Sequence, residues 1–191
     1  MVFVNAKWIW ERERAERDEY AEFLGEFTAK ECAKVRLSVD GDYALFINGI
    51  FVGSNQYGDF EHYKVYDEID ISEYIRSGKN ELQLLCWHFG RDNMHYKTYP
   101  AGVIFEVEEE EILLSSDENT LCKKSDAYKS GYNKLITLQL GDSFYYDGRK
   151  NLFEGKWHKS VLVDKPRAFF PRPNERMRLG GKIVAKLIKS E

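Results

Sequence analysis

The stretch YALFINGIFVG, residues 43–53, decides the fold class. Asn48-Gly49 stands between two apolar arms. That dipeptide is the strongest short-range hairpin signal, because a type I′ turn needs positive φ at both central residues. Both faces of the hairpin are apolar, so it is expected centrally in a sheet.

Working outward, VRLSV at 35–39 alternates Val35, Leu37 and Val39 with polar residues, the period of two that a half-buried strand requires. Downstream comes YKVYDEIDISEYIRSGKNELQLLCW. There Asp70 or Ser72 can cap one helical turn, Gly78 can end it through positive φ, and a strand runs from Leu82 to Trp87. GVIFEV and EEILLS form two more strands, with the acidic run Glu108 to Glu111 as the exposed bend between them. A polar segment, residues 116–134, then gives way to LITLQL, FYY and WHKSVLV. Short strands separated by turn signals every ~8–12 residues are the pattern of an all-β sandwich of the jelly-roll, galactose-binding-like kind. Residues 1–165 are read as that sandwich. PRAFFPRPNERMRLGG then holds three of the four prolines, so residues 166–191 are read as an extended crossover followed by the first strand of a further domain, KIVAKLIK. The charged stretch ERERAERDEY reads as a solvated turn or short helix.

Composition narrows the function classes. An aromatic share of 15% favours strands, which accept flat side chains on a pleated surface. A net charge of −4, with basic residues scattered rather than striped, argues against nucleic acid as a partner. No run approaches the ~18 consecutive apolar residues of a membrane span, and MVFVNAKWIWERER lacks the form of a signal peptide. Cys32, Cys86 and Cys122 are odd in number and widely spaced, which reads as buried free thiols in a reducing compartment; a cytoplasmic location is the expectation.

Chemistry concentrates in CWHFGRDNMHYKTYPAGVIFEV, residues 86–107. His88, Asp92 and His95 are of metal-ligating type, but their spacing is not that of a metal site. No GxSxG elbow or phosphate-cradling glycine pattern is present, so no catalytic residue is assigned. The acidic clusters at 40–42 and 67–70 are candidates for a structural calcium, with turn capping as the competing explanation; no other cofactor is implied. Carbohydrate recognition fits the mixture best: a sugar ring stacks its C–H face on an aromatic ring and offers hydroxyls to polar partners. The residues of that kind are Tyr57, Asp59, His62, Trp87, His88, Arg91, Asp92 and Tyr96, although Trp87 alternates with Leu85 and a core position is its competing reading.

KWIW, then YALFINGIFVG, then HYKVYDEIDISEYIRSGKNELQLLCW, then GDSFYYDGR, Trp157 and the PRP segment occur in an order that resembles the N-terminal β-sandwich region of bacterial alpha-L-rhamnosidases, glycoside hydrolase family 78. The resemblance covers most of residues 7–180. It implies a non-catalytic, carbohydrate-binding-like accessory domain, with rhamnose-containing or related carbohydrate as ligand. It also implies a downstream (α/α)6 barrel in the same polypeptide that carries the acid and base, so that this chain alone is not an enzyme. A protein-interaction or scaffolding sandwich with no sugar of its own is the alternative.

Overall fold

The structure, a computed structural model, describes residues 2–56, 62–92, 96–137, 139–166, 168–175, 180, 183, 184 and 186. In chain order the strands are β1 (Ile9–Trp10), β2 (Glu19–Ala29), β3 (Lys34–Val39), β4 (Asp42–Ile47), β5 (Ile50–Gln56), β6 (Lys64–Asp70), β7 (Gly78–His88) and β8 (Val103–Glu108). They continue with β9 (Ile112–Ser115), β10 (Leu121–Lys124), β11 (Leu135–Thr137), β12 (Gly141–Asp142), β13 (His158–Lys159), β14 (Val161–Leu162) and β15 (Phe169–Pro171). Ser72–Tyr74 is a single 3-10 turn, the one helical element among the described residues.

Two sheets carry the fold. One orders its strands β13-β10-β2-β7-β4-β5, and the other orders them β14-β1-β8-β3-β6-β15 with β9 paired to β8. The inner faces meet in one core. From the first sheet come Phe23, Phe27, Leu45, Ile47, Leu82 and Leu84; from the second come Val35, Leu37, Val103, Phe105 and Val107. This is the all-β sandwich that the alternating pattern implies.

The Asn48-Gly49 turn forms as expected, with φ of 53° and 78°. Its position differs from the expectation: β5 is the last strand of its sheet, and β4 alone of the two arms lies between neighbours. A second small cluster explains why apolar side chains occur on outer faces. Phe3, Ala6 and Trp8 pack on Ile104, which points out of β8, and Phe169 stacks on Trp8 with centroids 5.9 Å apart. The central strand β2 was not apparent from sequence, because EYAEFLGEFTA mixes acids into its apolar positions; it pairs with β7 along all eleven residues. Gly25 within it lets Leu114 pack close, since a Cβ there would stand 2.6 Å from Leu114 Cδ2 and displace that side chain. Gly78, at φ 98°, begins β7 rather than ending a helix, and Asp70 accepts the Ser72 amide at 2.9 Å. FYY forms no strand of its own; Tyr146 makes one bridge to Tyr128. Cys32 is exposed, whereas Cys86 and Cys122 are the buried thiols. Beyond residue 165, Phe169–Pro171 runs parallel to β6, and KIVAKLIK lies mostly outside the described residues.

Burying a carboxylate is unfavourable unless donors or cations satisfy it. Six acids are buried among the described residues: Asp18, Glu19, Glu22, Asp40, Asp67 and Glu106. Each receives donors or cations from other parts of the chain. Glu106 accepts the amides of Val4, Asn5 and Ala6 at 2.9, 2.5 and 2.8 Å and so fixes the N-terminal strap. Asp67 receives Arg172 through two bonds of 2.5 and 2.6 Å, which holds the C-terminal crossover. Glu19 accepts Trp10 Nε1 at 2.8 Å, and Glu22 accepts the Ser125 hydroxyl at 2.6 Å and the Phe153 amide at 2.7 Å. Asp40 faces Lys64 Nζ at 3.1 Å, Lys165 Nζ at 3.2 Å, His88 Nδ1 at 3.3 Å and the Tyr96 hydroxyl at 2.5 Å. Burial pushes the Asp40 carboxyl up, but Lys165, His88, Lys64 and Tyr96 together outweigh it and hold it well below the usual carboxylate range. The two acidic clusters considered for calcium therefore already hold cations, at Asp40 and Asp67.

Two outcomes follow. Asp40→Asn strips the charge from between two buried lysines, and urea denaturation at pH 7 should show a loss of ~3–5 kcal/mol. Because the Asp40 carboxyl is depressed in the fold, its stabilisation is full above its unfolded pKa of ~3.9 and is lost as pH falls toward the folded value. A loss below ~1 kcal/mol at pH 7 would show that the cluster does not brace the sandwich. Glu106→Ala should speed hydrogen exchange at Val4, Asn5 and Ala6 while leaving the β2–β7 amides protected; unchanged exchange would contradict the strap.

Candidate ligand-binding cleft

Strand register assembles the cleft. Trp87 on β7 pairs with Tyr20 on β2 and, on its other side, with Asp42 on β4. Side chains directly opposite across antiparallel strands share one face, so Tyr20, Trp87 and Asp42 form a row on the outer face of their sheet. The Tyr20 and Trp87 rings stack with centroids 5.8 Å apart, and Tyr128 stacks on Tyr20 at 5.2 Å. Leu85 and Ala44 complete the floor; Asn133, Asp142, Ser143 and Phe144 supply the wall. The space enclosed is about 230 Å³. That is smaller than the roughly 300 Å³ at which pockets for drug-sized ligands begin, and it suits a single ring.

Asp18 holds the wall to the floor. Its backbone sits in the left-handed region at φ 58°, one carboxylate oxygen accepts Trp87 Nε1 at 2.9 Å, and the other accepts the Asn133 amide at 2.9 Å. Asn133 Nδ2 donates to the Tyr20 hydroxyl at 2.9 Å, while its Oδ1 is buried with no hydrogen-bond partner. Burial pushes the Tyr20 hydroxyl well above its usual pKa, against the opposing bond from Asn133. Arg91 ion-pairs with Asp142 and lies over the Phe89 ring at 4.6 Å. Asp42 differs from the six buried acids: it is half-buried, it has no hydrogen bond or ion pair among the described residues, and partial desolvation pushes its carboxyl up to about 7.

The residues expected to bind a ligand are not one cluster. Trp87 lines the cleft as a platform rather than a core residue, and Arg91 stands behind its wall. His88, one residue on, faces the opposite side of the sheet. Tyr96 is buried against Asp40. Asp92 is exposed and holds Lys97 Nζ at 2.6 Å and the Thr98 amide at 2.8 Å, which keeps its carboxyl low. His62 is exposed and packs edge-on to Tyr63. Tyr57, Asp59 and His95 lie outside the described residues. Sequence reasoning missed Tyr20, Asp42, Tyr128, Asn133, Asp142 and Phe144. The interleaving of aromatics with Asn, Asp and Ser in DAYKSGYN and GDSFYYDG was the signal available for the wall.

A larger cavity of about 550 Å³ opens beside His88, lined by Arg14, Arg17, Gly90, Tyr99 and Asp164 among others. It is the weaker candidate. His88 faces Asp40, the ammoniums of Lys64 and Lys165 stand over the Tyr99 ring at 5.3 and 5.1 Å, and the rim charges are mixed in sign.

Fold and cleft define an all-β sandwich with an aromatic-floored hollow on one outer face. Comparison with solved structures places this architecture. Over 91% of its length the chain superposes on 20% of a glycoside hydrolase family 78 rhamnosidase of Bacillus sp. GL1, with a TM-score of 0.79 and 26% identity. It also superposes, over 87% of its length, on 22% of an alpha-L-rhamnosidase from Dictyoglumus thermophilum, at TM-score 0.67 and 23% identity. For the alpha-L-rhamnosidase from Aspergillus terreus the values are 85% and 22%, at TM-score 0.61 and 14% identity. No protein-family model matches the chain, and no curated protein matches it. The chain thus corresponds to a region of a rhamnosidase-like protein and spans about a fifth of the length of the structures it matches.

Asp42 makes the cleft measurable without a ligand. A carboxyl whose pKa is raised on folding favours the fold most below its unfolded pKa of ~3.9, and that contribution is lost as pH rises through about 7. Asp42→Asn should therefore raise Tm at pH 8 by at least ~3 °C, with a smaller gain at pH 5. A Tm at or below that of the unsubstituted chain at pH 8 would contradict an uncompensated, partly desolvated charge at Asp42.

Proposed function

We propose that this chain is a non-catalytic, carbohydrate-binding accessory sandwich of an alpha-L-rhamnosidase, and that a sugar ring seats in the Tyr20–Trp87–Asp42 cleft. The observation that carries the reading is an aromatic row beside two acceptors without a protein donor among the described residues, the half-buried Asp42 carboxylate and the buried Asn133 Oδ1, in a hollow the size of one ring. Trp87 and Tyr128 cover the two faces of Tyr20, so the apolar side of the sugar falls to the other rings of the lining, and the acceptors take its hydroxyls. The similarity to rhamnosidases supports rhamnose-containing glycosides as the substrate of the parent polypeptide.

Glycoside hydrolysis needs two carboxyl groups facing the scissile bond, one as acid and the other as base or nucleophile. In the cleft only Asp42 is free, because Asp142 is engaged by Arg91. The acid and base of the parent enzyme are accordingly assigned to another part of the polypeptide, the helical barrel that the resemblance implies. A bracing role is favoured by one further observation: Leu135, Ile136, Leu140 and Phe144 on the β11–β12 hairpin are 52 to 72% exposed, an apolar surface suited to a neighbouring domain.

Titration with L-rhamnose and D-galactose, followed by tryptophan fluorescence, separates these roles. Sugar binding should give a saturable change in the ~millimolar range, absent in Trp87→Ala and unaffected by calcium. A flat response to both sugars would leave only the bracing role. Turnover of a chromogenic rhamnoside by this chain would overturn the non-catalytic assignment.

A further inference from the structure

Resting on the reading of the cleft as a sugar site, we infer that Asp42 sets its specificity: the cleft accepts neutral, hydroxyl-rich sugars and turns away those carrying a carboxylate, sulfate or phosphate. The polar groups of the hollow are unbalanced toward acceptors. Asp42 offers two carboxylate oxygens with no donor on them among the described residues, and Asn133 Oδ1 is buried without a partner. The nitrogen donors nearby each have a partner: Asn133 Nδ2 donates to Tyr20, Trp87 Nε1 to Asp18 and the Arg91 guanidinium to Asp142, which leaves the neutral Tyr20 and Ser143 hydroxyls as the donors of the lining. A ligand that satisfies this lining brings O–H donors, as a sugar diol does, and an anionic group brings only further acceptors.

The charges agree. Asp42 faces Trp87 from β7 and the Tyr20 hydroxyl from β2; from the wall come Asn133 and Asp142, the latter balanced by Arg91, and behind Trp87 lies Asp18, which accepts two N–H groups. The cleft contains no unengaged cation among the described residues, so an incoming anion meets an uncompensated negative lining of low polarity. A carboxylate left without a protein partner in a cleft lined by aromatic rings is positioned to meet a ligand. Because burial pushes this carboxyl up to about 7, the discrimination also depends on pH. At pH 8 the ionised group repels an anion and accepts hydroxyls strongly; at pH 5 it is protonated and the repulsion is gone.

The test titrates the chain with L-rhamnose, D-galactose and D-galacturonate at pH 8 and pH 5, reading tryptophan fluorescence, with Trp87→Ala defining cleft binding. At pH 8 galacturonate is expected to bind at least ~10-fold more weakly than the better neutral sugar. The gap should shrink to about 3-fold or less in Asp42→Asn and, without substitution, at pH 5, where galacturonate is still anionic. Galacturonate binding as tightly as the neutral sugars at pH 8, or a gap that Asp42→Asn leaves unchanged, would overturn the inference while leaving the sugar site intact. Absence of any Trp87-dependent response would overturn both.

Discussion

A carboxylate cannot be left bare inside a sandwich, and this chain turns that constraint into its means of assembly. Its ladders fix the sheets, and buried acids add side-chain ties to the N-terminal strap, the segment after β10 and the crossover after residue 165. Glu106, Asp18, Glu22, Asp40 and Asp67 supply them from within, each accepting amides or cations from sequence-distant segments. Charge-assisted bonds of this kind are short and directional, so they specify where a strap lies as well as holding it. Replacing such a pair by apolar side chains need not destabilise a fold, whereas deleting one partner does.

Against that pattern Asp42 stands apart, since nothing among the described residues answers its charge. Its neighbour in sequence, Asp40, lies two residues earlier and turns inward to two lysines. The strand alternation that sends Tyr43, Leu45 and Ile47 to the core sends Asp42 to the outer face beside Trp87. The floor of the cleft is continuous with the best-paired strands in the molecule. Its wall is different: among the described residues β11 and β12 pair only with each other, and Asp18 and Ser130 join that segment to the sheet. A rigid floor with a less tightly held wall lets a small ring enter without disturbing the core.

Much of this was legible beforehand. The Asn48-Gly49 turn, the Val35, Leu37 and Val39 face, and the strands ending at Trp87 and starting at Val103 follow from period-two patterning and turn chemistry. Central β2 was not, because Glu19, Glu22 and Glu26 break the apolar pattern. Only the structure shows that Glu19 and Glu22 are buried on Trp10, Ser125 and Lys123. Missing β2 hid Tyr20, and with it the row that makes Trp87 a platform. Of the residues grouped as one binding set, Trp87 and His88 lie on opposite faces because adjacent positions on a strand diverge, and Arg91, Asp92 and Tyr96 are placed by the loop after β7. Long-range pairing such as Arg91 with Asp142 leaves no local sequence signal.

The measurement that tests the central claim most directly is a carbon-13 NMR titration of the side-chain carboxyls, with Asp40 and Asp42 assigned by substitution. The account predicts a midpoint near 7 for Asp42, with Asp40 remaining ionised well below the usual carboxylate range until the chain unfolds. An Asp42 midpoint near the ordinary ~3.9 would contradict it, because the carboxyl would then have found a partner or the solvent, and the cleft would lose the group on which its reading rests.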